Sequence, residues 1–271
     1  MNRRAIFAIV RKDLKVASQN KGVLVPFIVL AVVFYVLVPW LTRLVPLFED
    51  AAGDMLSGVD KLLTRMPAGF QQEFSGLNLP QTLIVYLLKY QMAPMFLLVP
   101  LLVALTIAAD SFAGEKERKT MEALLYTPTT DRELFIAKLL SGWVTAIAVA
   151  WMGFVVYSVM ANAAAWPHMG RIFFPNAMWV VMILWVVPAI AGLGVGAMVL
   201  ASSRAQGFQD ANQLGGVVVL PIVVLFYMQV AGAMAFNVVV VLLLGLGIWL
   251  LTGLFIWLGS RTFRRNRALA G

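Results

Sequence analysis

The sequence has no cysteine, one histidine and few charges. Without cysteine, no disulfide, thiolate nucleophile or zinc–thiolate centre can form. A single histidine, His168, leaves no second imidazole for a metal and little material for a nucleophile–base pair. Charged residues are 13% of the 271 positions and hydrophobic residues 61%, whereas a soluble domain carries about 25% charged residues. That deficit places the chain in a bilayer. There is no G-x-x-x-x-G-K-[ST] loop, which excludes ATP binding in the P-loop manner. The first 22 residues are too polar for the apolar core of a cleavable signal, so none is expected.

What is present is a series of long apolar runs. Residues 23–41, 83–109, 139–161 and 177–201 each have the length of a membrane crossing. Residues 211–260 carry no formal charge. As one helix they would extend about 75 Å at 1.5 Å per residue, far beyond the roughly 30 Å hydrocarbon core. They are expected to cross twice, at about 214–232 and 237–259, reversing near Gly232–Asn237. With Lys89 taken as a span-edge residue that snorkels outward, the six span interiors hold no Asp, Glu, Lys, Arg or His. Ion-coupled carriers usually keep such groups as relays, so the chain is read as having neither catalysis nor its own energy coupling. Gly192, Gly194 and Gly196 superficially suggest a nucleotide loop, but inside an apolar run they are read as close helix packing.

Six spans leave both ends on one side. That side collects 16 Lys/Arg and the other 4, with Lys89 at a span edge, which by the positive-inside rule makes it cytoplasmic. The net charge of +8 is thereby explained by the membrane, with no nucleic acid as partner. Residues 1–22 read as an amphipathic helix in the headgroup plane. Ile6, Ile9, Val10, Leu14 and Ala17 form its apolar side, and Arg3, Arg4, Arg11, Lys12 and Lys15 point to anionic lipid, with Asp13 blurring the apolar edge. Residues 42–82 form the longest outer excursion, expected to hold short amphipathic helices; 162–176 read as a short outer loop, 202–213 as an inner loop and 260–271 as a polar tail. The amides Asn162, Asn176, Asn212, Gln229 and Asn237 near span ends are read as interhelical or interfacial hydrogen-bonders. Pro94, Pro100, Pro188 and Pro221 are candidate flex points or ordinary packing.

Between the second and third spans lies an island, residues 110–138, with 11 of the chain's 34 charged residues. Such a mixed-sign stretch must project into water. Asp110 is expected to end the second span. Glu115–Lys119 and Arg118–Glu122 are spaced as i,i+4 ion pairs. Thr127-Pro128-Thr129 breaks that helix, and Thr130-Asp131-Arg132-Glu133 is a capping box that starts the helix leading into the third span.

These residues resemble the ABC-2 permeases, the membrane subunits of type-2 ABC exporters. The match is strongest over Ala113–Lys138, AGEKERKTMEALLYTPTTDRELFIAK, and extends to Arg11-Lys12-Asp13-Leu14 on the first helix and to the six-span layout. The resemblance implies an all-α, polytopic single transmembrane domain with an N-terminal elbow helix and a cytoplasmic coupling helix, in a bacterial-type inner membrane. It implies pairing with a second permease subunit, identical or different, and contact with a separate ABC ATPase subunit that carries the ATP and magnesium, with no cofactor on this chain. It implies that Glu115, Glu117, Arg118, Thr120 and Glu122 pair with or orient the ATPase contact, while Tyr126, Thr127, Pro128 and Thr129 shape the turn. A stand-alone channel or secondary carrier, and a scaffold that recruits an ATPase without transport, are the alternatives. The cargo is not fixed; a chargeless interior favours an apolar or amphipathic molecule.

Overall fold

In the computed structural model, residues 3–19, 21–48, 68–118, 130–231, 234 and 236–262 are described. Every regular element among them is helical. The first is α1, Arg3–Gln19, followed by six helices long and apolar enough to cross a membrane. These are α2 (Val25–Leu47), α4 (Leu79–Gly114), α5, α6 (Ala177–Ser202), α7 (Phe208–Val230) and α8. Helix α5 runs Asp131–Met169 and α8 Val238–Thr262. A short α3, Ala68–Phe74, precedes α4. The chain is a multi-pass membrane protein, and all six expected spans are present.

Helices α4 and α6 are central and mostly buried, whereas α2, α5, α7 and α8 turn broad apolar faces outward. The three glycines of α6 serve close packing. A Cβ at Gly192 would lie 2.7 Å from Thr252 of α8, one at Gly194 3.0 Å from Leu101 of α4, and one at Gly196 3.0 Å from Phe255 of α8. Thr252 also donates to the Ala189 carbonyl at 2.9 Å. An aromatic cluster of Tyr35, Phe96, Tyr157, Phe174 and Trp179 fills the half of the bundle remote from α1.

Several spans contain a wide π-turn, and three of these shortly precede a proline: Val33–Leu37 before Pro39, Tyr86–Gln91 before Pro94, and Met182–Val186 before Pro188. Proline lacks the N–H that would serve a carbonyl one turn back, and its ring crowds that carbonyl. A widened turn relieves the crowding, and side chains from other helices bond carbonyls left over. Trp179 Nε1 donates to the Lys89 carbonyl at 2.7 Å, Tyr157 to the Leu88 carbonyl at 2.6 Å, and Trp151 Nε1 to the Ile183 carbonyl at 3.3 Å. Arg43 does the same at 3.2 Å for Ala163, four residues before Pro167. Pro94 and Pro188 are thus propped positions within continuing spans.

Three expected boundaries shift. The second span does not end at Asp110; a π-turn, Asp110–Gly114, and a further helical turn, Glu115–Glu117, carry it on. The third span does not stop at residue 161. Asn162 donates to the Ser158 carbonyl of its own helix and bonds the backbone of Phe173 and Phe174, so α5 continues to Gly170, which caps it at φ +58°. Lys89 does not snorkel to water from a span edge. It lies inside α4, buried, and its ammonium meets Glu73 of α3 at 3.0 Å. Among the amides, Asn176 and Asn237 cap helix starts, Asn212 is exposed, and Gln229 is buried with no hydrogen-bond partner among the described residues.

Candidate functional site

At the end of the bundle where α1 lies, four elements converge on the first half of the island. Helix α1 sits on the opening turns of α5, with Ile6 and Ile9 packed against Leu134 and Ala137. The capping box that opens α5 forms as expected: the Thr130 hydroxyl accepts from the Glu133 N–H at 3.2 Å, and the Glu133 carboxylate accepts from the Thr130 N–H at 3.1 Å. One and a half turns on, Lys138 points inward and is fully buried.

The Lys138 ammonium donates to the Glu115 carboxylate and to the Ser111 carbonyl, with the Ser111 hydroxyl at 3.3 Å and the Phe112 ring 5.4 Å away. Glu115 uses its other oxygen for Lys12 of α1. Lys12 also lies 3.3 Å from Asp13, whose buried carboxylate accepts from the Ser111 hydroxyl at 3.1 Å. Two lysines and two acids therefore form a neutral cluster joining α1, the end of α4 and the start of α5. A buried ion pair is tolerated only when its hydrogen bonds are filled, and the π-turn at Asp110–Gly114 leaves the Ser111 carbonyl free for Lys138.

Glu115 feels burial pushing its pKa up, but Lys138 and Lys12 outweigh it and hold the carboxyl below its ordinary range. Lys12 feels burial pushing it down, and its hydrogen bond to Glu115 with the nearby negative charge carries it above the usual lysine value. Arg118 is raised by its hydrogen bond to Asp110, at 2.9 Å. This fork lies across Gly114, where a Cβ would come within 2.9 Å of the Asp110 carboxylate and 3.3 Å of the guanidinium.

Glu117 reaches the opposite side. Its carboxylate accepts from the Phe208 N–H at 2.9 Å, at the first turn of α7. Negative charge is favoured there because the first N–H groups of a helix have no intrahelical partner. A Cβ on Gly207 would lie 2.7 Å from that carboxylate, so glycine makes the approach feasible.

Of the residues expected to couple to an ATPase, Glu115, Glu117 and Arg118 are thus brought together and each is bonded within this chain. Arg118 pairs with Asp110, a partner the i,i+4 spacing does not suggest. Thr120, Glu122, Tyr126, Thr127, Pro128 and Thr129 lie outside the described residues, as does Lys119. On α1, Arg4, Arg11 and Lys15 are exposed, and the Arg3 side chain is outside the described set. Lys12 is exposed with them and also pairs with Glu115. Sequence reasoning missed Ser111, Asp13 and Lys138 as members of the site. The signals were an acid on the apolar edge of α1 and a lysine facing the core of a span-forming helix.

Among the described residues no group of three or more His, Asp and Glu side chains is placed to hold a metal. The bonds of this cluster lock α1, α4, α5 and α7 to one another. No individual curated protein matches the chain. Residues 7–271 match the family described as ABC-2 family transporter protein, a family whose membrane component carries transport. With its six spans and its charged island, the chain belongs to the ABC-2 transporter family as a membrane subunit.

Proposed function

We propose that this subunit is the passive gate of an ATP-driven exporter and that its island receives force from a separate ABC ATPase. The observation that carries this reading is the set of bonds made by three charged residues within four positions: Glu115 to α1 and α5, Glu117 to α7, Arg118 back to α4. A displacement applied just beyond them, at 119–129, is delivered to four helices at once. In this role Glu115, Glu117 and Arg118 are positioning residues, and the contact with the ATPase falls to the following segment, Thr120, Glu122 and Tyr126–Thr129. The island and both termini face the cytoplasm of a bacterial-type inner membrane, a placement supported by the 16-to-4 distribution of Lys and Arg. Two six-span subunits enclose the path, and the exposed apolar helices leave room for a second copy or a related subunit as well as for lipid.

The test is co-reconstitution with the cognate ATPase in liposomes. Glu117→Lys with Arg118→Glu is expected to abolish transport-stimulated ATP hydrolysis while the subunit still purifies as a folded species bound to the ATPase. Full stimulation in the double variant would overturn the coupling role. Solute movement by the subunit alone, without ATP, would favour a channel or carrier.

A further inference from the structure

At the opposite end of the bundle the chain builds a pocket that its family membership does not explain. It has a volume of about 280 Å³ and lies between α3, the first turns of α4 and the segment following α5. Its charged lining is Glu73, Lys89 and Arg171, and its apolar lining includes Leu77, Val85 and Ile172.

Lys89 is the unusual member. Its side chain is 10% exposed, and its ammonium has one anionic partner, Glu73 at 3.0 Å, whose own side chain is 38% exposed. The Phe173 ring stands 5.7 Å from the ammonium. An ammonium has three donors, and no hydrogen bond besides that to Glu73 is made by Lys89 Nζ among the described residues. Arg171, exposed at the rim, makes no ion pair or hydrogen bond among them. The wall thus carries two cations against one anion, with unused donors beside an apolar surface.

The surroundings are fixed in place. Asn162 bonds the backbone on both sides of the Phe173–Phe174 peptide link, Gln81 donates to the His168 carbonyl at 2.8 Å, and Phe74 packs on Tyr90 with ring centroids 5.9 Å apart. Ligand pockets usually fall at about 300–1,000 Å³, so this one suits a head group and the start of a chain better than a whole drug-sized molecule.

From this geometry we infer that the pocket binds the anionic head of an amphiphile, a phosphate ester on an alkyl chain. The head takes the spare donors of Lys89 and the guanidinium of Arg171, and the first carbons of the chain lie along Leu77, Val85 and Ile172. Glu73 competes with the ligand for Lys89. The binding claim stands apart from the ATPase reading, since it requires neither nucleotide nor partner. The same chemistry has two sources, a bilayer phospholipid or a free amphiphile.

The experiment is titration of the full chain, in nanodiscs of phosphatidylcholine, with decyl phosphate and separately with decyltrimethylammonium. Decyl phosphate is expected to bind and the ammonium amphiphile not to bind. Arg171→Gln, at an exposed side chain with no ion pair or hydrogen bond among the described residues, is expected to weaken binding about tenfold, the loss of one charge-assisted hydrogen bond. Glu73→Gln is expected to tighten it several-fold, a gain that a folding defect cannot produce. In phosphatidylglycerol nanodiscs, suppressed binding identifies the bilayer lipid as the occupant, and unchanged binding identifies the free amphiphile. Equal affinity in wild type, Arg171→Gln and Glu73→Gln, or equal binding of the cationic amphiphile, would overturn the assignment.

Discussion

Glu115 is the residue on which the island end depends. It stands between Lys12 and Lys138, the latter with no solvent exposure. Removing one partner from a buried ion pair costs far more than replacing the pair, because the remaining charge keeps its desolvation penalty. Glu115→Ala is therefore expected to cost ~3–5 kcal/mol, seen as a large fall in the thermal midpoint of the purified protein. Adding Lys138→Met to Glu115→Ala should recover part of the loss; a double variant no better than the single one would contradict the argument. The pH response has two sides. Glu115 is held below its ordinary 4.5, so its contribution is present above that value and is lost as pH falls through the lower folded value. Lys12 is held above its ordinary 10.5, so its contribution is present below that value and is lost as pH rises through the folded one. Thermal midpoints should be flat in the neutral range and fall at both extremes, with the acid limb reduced in Glu115→Gln.

At the scale of the helix, glycines separate into those that admit a neighbour and those that do not. A Cβ on Gly153 of α5 would lie 2.3 Å from the ring of Tyr35 on α2, whereas one on Gly253 of α8 would meet nothing within 4 Å. Gly153→Ala should cost about 1–3 kcal/mol by overpacking. Gly253→Ala should be neutral or stabilise by up to about 1 kcal/mol through helix propensity. Comparable midpoints for the two variants would show that α2 does not press on α5 at that point. The spans were legible because apolar runs of bilayer length have few other uses, and the Thr130–Glu133 box was legible because capping is local chemistry. The continuation of α5 past residue 161 was not, since Asn162, Trp166, Pro167 and His168 look like loop residues until Asn162 and Arg43 are seen bonding distant backbone. Three of the π-turns left only the proline that follows them as a trace, and the one at Asp110–Gly114 left none. Lys89 read as a boundary residue because its partner, Glu73, lies in a separate helix that folds back against it.

At the scale of the whole molecule, orientation is the claim most open to direct test. A chain without cysteine is a clean background for single thiols. Ser75 and Ser260 are exposed at opposite ends of the bundle. A membrane-impermeant maleimide applied to intact cells is expected to label Ser75→Cys and to spare Ser260→Cys until the cells are lysed. The reverse pattern would invert the topology and with it the proposed place of the ATPase.

Helix α4 is tethered at two well-separated points, by Glu73 on Lys89 about three turns from its start and by Lys138 on Ser111 and Glu115 at its far end. Sliding it lengthwise by even one turn, about 5.4 Å, would tear both moorings together. Tilting or rolling about its long axis would strain them one at a time. A rod fastened in this way behaves as a pivoting beam, not a piston, so α4 is expected to keep both fastenings through a small rotation and to lose them on a lengthwise slide.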